Sequence, residues 1–75
     1  MNKDEIIDAL KYQITTEQAY IKKQRAAQDR MRSLEAGVRS GNISADLAAF
    51  DLIIFNAQDR IAEHEKKIEE LENEN

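Results

Sequence analysis

One short stretch of sequence decides the fold: residues 37–44, which read Gly-Val-Arg-Ser-Gly-Asn-Ile-Ser. This stretch holds both glycines of a 75-residue chain that contains no proline, so it is the only turn signal in the sequence. Either Gly37 or Gly41 can supply the left-handed residue that ends a helix. We therefore expect the chain to fold back within this stretch, with one helix before it and one helix after it.

The composition on both sides of the turn favours long helices. Charged residues make up 35% of the chain and aromatic residues 5%, a balance typical of coiled coils and long helices. A short connection between two such helices favours an antiparallel pair. The sequence therefore predicts an all-α fold, a coiled-coil-like antiparallel two-helix hairpin that forms a single domain over residues 1–75. Its first helix covers about residues 3–37, its turn about 37–44 and its second helix about 45–72.

Capping residues indicate where each helix starts. Asn2 can bond the free amides of the first turn, and Glu5 lies three residues later, where a capping-box partner belongs. Ser44 is the corresponding cap of the second helix, and Ile43 before it is placed for a hydrophobic staple. Two separate helix starts favour two helices over one long helix.

The spacing of apolar residues predicts which side of each helix faces the other. In the second helix, steps of three and four residues select a row with seven apolar members out of eight. This row consists of Leu47, Phe50, Ile54, Ala57, Ile61, His64, Ile68 and Leu71. The corresponding row of the first helix consists of Ile6, Leu10, Gln13, Glu17, Tyr20, Gln24, Ala27, Met31, Leu34 and Val38. Folding about residues 40–41 places Glu17 opposite His64 and Gln28 near Asp51, and the half nearer the turn is expected to be the better packed.

Several large apolar residues lie outside these two rows. They are Ile7, Ile14 and Ile21 on a flank of the first helix, and Leu52, Ile53 and Phe55 on the outer side of the second. Left exposed, such residues form the kind of patch that marks an association surface. We expect them to contact another copy of the chain, in a four-helix or larger bundle, or a partner protein. The alternative is that the predicted rows are wrong and that these residues form the core within the chain.

Charge is distributed unevenly along the chain. The net charge is −4, yet residues 22–39 contain six basic and only two acidic residues. The total disfavours nucleic acid as a partner, because phosphate binding relies on a surplus of Lys and Arg. The candidate anion-binding residues are Lys22, Lys23, Arg25, Arg30 and Arg32. We interpret them either as a solvated face that pairs with acids of a neighbouring chain, or as a site for a small anion such as a nucleotide.

The sequence offers little for catalysis or for a metal ion. It has no cysteine, and His64 is its only histidine, whereas zinc usually requires several His or Cys ligands. The acidic pair at Glu69 and Glu70 lacks the loop pattern of a calcium site, and no phosphate-binding glycine loop or nucleophile motif is present. We therefore expect a non-enzyme without metal or cofactor. His64 is interpreted as a polar position that fixes the register of the two helices, or as half of a pH-sensitive pair with Glu17.

Two features bear on cellular location. The N-terminus lacks the apolar core of a signal peptide, and the longest apolar runs are far too short to cross a bilayer. We therefore expect a cytoplasmic protein with no membrane segment.

The stretch over residues 34–50 resembles the hairpin turn of small coiled-coil accessory proteins of flagellar and type III export machines. The shared features are a Gly, then a Ser, then a Leu and an aromatic residue that enter the second helix. The size and composition of the chain also resemble those of small phage-encoded accessory or counter-defence proteins.

These observations predict a non-catalytic protein–protein interaction module, such as an adaptor, a chaperone-like cofactor or an inhibitor. It would act through exposed apolar helix faces and would self-associate as a homodimer or a higher oligomer. The alternative is an oligomer that sequesters a small anionic ligand, such as a nucleotide, through the basic faces of the first helix.

Overall fold

The chain is a pair of α-helices in the computed structural model, which describes residues 2–37 and 42–74. Helix α1 covers Lys3–Gly37 and helix α2 covers Asn42–Glu72. The described residues contain no β-strand, and the molecule is a rod of 58 × 15 × 14 Å. The sequence placed the second helix start at about residue 45, three residues later than the structure does. Half of the predicted turn, residues 38–41, lies outside the described residues, and residues 42–44 belong to α2.

The two helices lie side by side and run in opposite directions. At one end of the rod, Lys3 Nζ donates a hydrogen bond to the backbone oxygen of Glu74 over 2.6 Å. Towards the other end, Gln28 Nε2 donates to Asp51 Oδ1 over 2.6 Å. Contacts between residues 71 and 23 positions apart in sequence require the chain to double back. The predicted antiparallel hairpin is confirmed, and we call the end near Lys3 the open end and the opposite end the closed end.

The start of α1 follows its predicted capping chemistry. Asn2 Oδ1 accepts a hydrogen bond from the backbone amide of Glu5 over 2.8 Å, which satisfies one of the free donors of the first turn. Asp4 and Glu5 also lie in this first turn, where the helix dipole favours negative charge. The predicted cap at Ser44 falls inside α2, and its side chain lies outside the described residues.

The predicted contact row of α2 is confirmed at every position. All eight of its residues are buried or half-buried, and they are the only such residues over 45–74. Ala57 is fully buried, so its small side chain lies where the two helices have no room for water. We call the buried and half-buried rows of the two helices the seam.

The predicted contact row of α1 is wrong at three of its ten positions, and a fourth, Val38, lies outside the described residues. The observed row consists of Ile7, Leu10, Ile14, Glu17, Ile21, Gln24, Gln28 and Met31. Ile6 and Ala27 are half-buried beside this row, whereas Gln13, Tyr20 and Leu34 are exposed. The observed row is shifted by one residue because this shift brings three isoleucines into the seam, where Ile7 is buried and Ile14 and Ile21 are half-buried. Full burial of an isoleucine contributes about 1.5–3 kcal/mol, and half-burial contributes correspondingly less. Ile7, Ile14 and Ile21 are therefore not the free flank that the sequence predicted.

The register and the densest packing also differ from expectation. Glu17 contacts Arg60, one helical turn before the predicted His64, whereas Gln28 contacts Asp51 as predicted. The clustered core lies at the open end, not near the turn. It consists of Ile7, Ile68 and Leu71, with Ile6, Leu10 and Ile14 packed against it. The shift of the α1 row explains this difference, because it supplies isoleucines to the open end and a glutamine to the closed end.

Candidate interaction surfaces

The outer face of α2 is apolar and exposed at the closed end of the rod. We define this outer face as Ala45, Ala48, Leu52 and Phe55, which follow one another at helical spacing on the side away from α1. Leu52 is 61% exposed and Phe55 is 59% exposed. The next residues on this side are Asp59 and Ala62, so the apolar stretch extends for about three turns before a charge interrupts it. The exposure of Leu52 and Phe55 matches the expectation for an association surface.

A shallow groove lies beside this outer face, along one side of the seam. It has a volume of about 270 Å³ and is lined by Met31, Asp46, Ala49, Phe50 and Ile53. Ile53 is 36% exposed, so its predicted availability to a partner is smaller than that of Leu52 or Phe55. The groove joins the two helices and places one carboxylate, that of Asp46, at the edge of an otherwise apolar lining.

An ion pair lies on the same side of the seam, near the middle of the rod. Arg60 Nη2 donates a hydrogen bond to Glu17 Oε2 over 2.8 Å. This hydrogen bond lowers the pKa of the Glu17 carboxyl below its ordinary value, and the nearby charges of Arg60 and His64 act in the same direction. The same bond raises the pKa of Arg60, and Tyr20 is close enough to add to that rise. Arg60, Glu17, Tyr20 and half-buried His64 therefore form one polar cluster along this edge of the seam.

A buried glutamine lies on the other side of the seam. Gln28 is only 4% exposed, and its Nε2 donates to Asp51 Oδ1 over 2.6 Å and to the backbone oxygen of Leu47 over 3.2 Å. A buried amide with partners at fixed heights on α2 penalises any sliding of the two helices. The sequence does carry a signal for it, since Gln28 continues the seven-residue spacing of Ile7, Ile14 and Ile21. The predicted contact row excludes Gln28 because polar residues are expected on the flank of a helix and not in its packed row.

The five predicted anion-binding residues do not converge within one chain. Lys22, Lys23, Arg25, Arg30 and Arg32 are all exposed on α1. Because each residue advances about 100° around a helix, Lys23 and Arg25 point to nearly opposite sides. Arg32 Nη1 also lies 3.6 Å from Asp29 Oδ1 on its own helix. An anion site built from these residues therefore requires a neighbouring chain, and it stays a prediction.

A wide depression at the open end has mixed charge. Its volume is about 530 Å³, and it is lined by Lys3, Asp4, Ile7, Asp8, Lys11 and Glu72. Acidic and basic groups alternate around it, so it presents no single sign of charge to a ligand.

The described residues define a two-helix hairpin with apolar surface at the closed end and polar surface at the open end. Within residues 2–37 and 42–74, no three His, Cys, Asp or Glu side chains lie close enough to hold a metal ion. Neither helix, as described, combines the length and the apolar character needed to span a bilayer. Comparison of the chain with protein-family models, with curated proteins and with solved structures gave no match.

Proposed function

We propose that the chain is a non-catalytic interaction module that binds another protein through the outer face of α2. The observation that carries this proposal is the exposure of Leu52 and Phe55, three residues apart on one side of the helix. Helix-against-helix recognition uses anchors at this spacing, and large side chains supply most of the binding energy. An aromatic and a leucine exposed together on a small rod favour a role in association.

The surroundings of the two anchors support a helical or extended apolar partner. Ala45 and Ala48 leave a shallow surface on one side of the anchors, so the backbone of a partner can approach closely. Asp59 limits the apolar contact on the other side, because its carboxylate would lose water on burial. The contact is therefore expected to cover about three turns of α2, with Leu52 and Phe55 at its centre.

The test is a double substitution with a matched control. In Leu52→Lys/Phe55→Lys, two lysines replace the anchors, whereas Gln58→Lys/Glu65→Lys adds two lysines at exposed positions on another side of α2. We expect proteins retained from host extract by the immobilised wild-type chain to be lost with the first variant and kept with the second. Circular dichroism of both variants should retain the wild-type helix content. Loss of helix content in the anchor variant, or equal retention of the same proteins, would contradict the proposal.

A further inference from the structure

A second surface of the hairpin lies on the side of the seam that carries the Glu17–Arg60 ion pair. On α1 it consists of the row Ile6, Gln13, Tyr20, Ala27 and Leu34, and on α2 of the row Asp46, Ile53, Arg60 and Lys67. Members of each row are seven residues apart, so they share one side of their helix. We call the two rows together the lateral face.

Observed contacts place the two rows on the same side of the rod. Arg60 of the α2 row bonds to Glu17, and Tyr20 of the α1 row lies close to Arg60. The groove at the closed end links Met31 of α1 to Asp46 and Ile53 of the α2 row. The hydrogen bond between Gln28 and Asp51 belongs to the opposite side. The lateral face is therefore one continuous surface across both helices.

The α1 row of the lateral face is less polar than a solvated flank. It contains no charged residue, and four of its five members are apolar. Tyr20 is 40% exposed and Leu34 is 61% exposed, although neither belongs to the outer face of α2. The sequence assigned these same α1 residues to the seam, because their spacing is that of a helix-packing row. The one-residue shift towards the isoleucines leaves Gln13, Tyr20 and Leu34 of this row exposed, whereas Ile6 and Ala27 are half-buried.

We infer that the lateral face binds the lateral face of a second copy, with the two rods antiparallel. The pair is then a four-helix bundle in which α1 packs on α1 and α2 packs on α2, each pair running in opposite directions. Tyr20 lies on the twofold axis and meets Tyr20 of the second copy. Ile6 lies opposite Leu34 of the second copy, and Gln13 lies opposite Ala27.

The symmetry of the two rows supports this arrangement. The centre of the α1 row is Tyr20, and the centre of the α2 row lies between Ile53 and Arg60. The contact between Glu17 and Arg60 sets these two centres at about the same height along the rod. One twofold axis therefore superposes both rows on their own copies, as an isologous interface requires.

Charge complementarity favours the antiparallel arrangement over a parallel one. The α2 row begins with Asp46 and ends with Lys67, so an antiparallel partner sets each beside its opposite charge. Over α1, the basic segment 22–32 of one copy lies along residues 8–18 of the other, which contain two acidic residues and one basic residue. A parallel twofold pair would instead pack α1 on α2, so that Asp46 and Lys67 would each lie against the uncharged α1 row and find no opposite charge there. This inference goes beyond the proposed function, because the lateral face contains neither Leu52 nor Phe55.

The most discriminating test exchanges the charges of Asp46 and Lys67 and measures the dissociation constant of the dimer by sedimentation. We expect a wild-type dimer, about tenfold weaker association in Asp46→Lys and in Lys67→Asp, and recovery in the double variant. The two residues are 21 positions apart on one helix, about 32 Å, so recovery cannot arise within a chain. A monomeric wild type, or a double variant as weak as either single one, overturns the inference.

Cross-linking tests the direction of the two rods independently. The sequence has no cysteine, so single cysteines can be introduced and joined with a short thiol-reactive cross-linker. Tyr20→Cys should cross-link to itself across the axis. Tyr12→Cys is the matched control, since Tyr12 is 74% exposed on the side of α1 away from α2. Leu34→Cys should not cross-link to itself in the antiparallel dimer, and efficient cross-linking there with none at Tyr20 overturns the arrangement.

Discussion

Arg60 of α2 bonds to Glu17 of α1 over 2.8 Å, one helical turn before the histidine that the sequence placed opposite Glu17. On the other side of the seam, Gln28 bonds to Asp51. These two contacts, one on each side of the seam, fix the axial register of α1 relative to α2. They therefore fix which apolar residues enter the seam and which stay at the surface.

The Glu17–Arg60 pair should make stability depend on pH in the acid range. The pKa of Glu17 is lowered in the folded chain from its ordinary value of 4.5, chiefly by the Arg60 hydrogen bond. Its contribution is therefore present above the ordinary pKa and is lost as the pH falls through the lowered one. We expect Glu17→Gln to lower the melting temperature at neutral pH and to lower it less as the pH drops below 4.5. Glu63→Gln, at an exposed position, is the control, and a Glu17→Gln effect that is equal at all pH values would exclude this explanation.

Gln28 should contribute measurably to stability although it is polar. Gln28→Ala removes two hydrogen bonds and leaves space in the seam, so we expect the free energy of unfolding to fall by about 1–2 kcal/mol. Gln58→Ala makes the same change at an exposed position of α2 and should alter it by less than about 0.5 kcal/mol. Urea titration measures both values. Equally small changes in the free energy of unfolding for the two variants would show that the hydrogen bonds of Gln28 to Asp51 and Leu47 do not stabilise the fold.

Ala57 should not tolerate a larger side chain. It is fully buried between the helices, so Ala57→Leu forces them apart and is expected to cost about 1–3 kcal/mol. Ala62→Leu places the same side chain on an exposed part of α2 and should have little effect. Thermal unfolding compares the two variants. An unchanged melting temperature for Ala57→Leu would show that the helices pack less closely around Ala57 than the structure indicates.

The corrected row of α1 can be tested with two neighbouring residues. Ile14 lies in the observed seam and Gln13 in the row first predicted from the sequence. Ile14→Ala should lower the free energy of unfolding by about 1–3 kcal/mol, reduced from a fully buried site because Ile14 is half-buried. Gln13→Ala should change it by less than about 0.5 kcal/mol. A larger loss of stability in Gln13→Ala than in Ile14→Ala would show that the row first predicted from the sequence is the one that faces α2.

The two helices differed in how far their sequence predicted their contacts. The α2 row was predictable because all its flanking residues except Ile53 are polar, so only one row of apolar side chains follows the helical period along the whole helix. In α1, Leu10, Glu17, Gln24 and Met31 belong to both the predicted row and the observed one, and the rows differ only in the residues between them. Choosing between adjacent rows requires knowledge of the partner surface, which one helix does not contain.

The candidate surfaces were predictable to different degrees for similar reasons. Leu52 and Phe55 lie opposite the well-defined seam of α2, so their exposure follows from the period of that helix alone. The basic residues are close in sequence, but the 100° advance per residue spreads Lys23 and Arg25 to different sides of α1. The lateral face depends on the register between helices, which the Glu17–Arg60 contact fixes.

The central claim is that the chain folds back on itself, so that α1 and α2 lie side by side in opposite directions. Its most direct measurement is the distance between spin labels at Lys11→Cys and Lys66→Cys, two exposed positions towards the open end. Dilution with unlabelled chain removes distances between copies. The hairpin predicts a distance set by adjacent helices, about 10 Å between axes plus the label arms. A distance of about 80 Å, the length of 55 residues of one continuous helix, would contradict the fold and every surface derived from it.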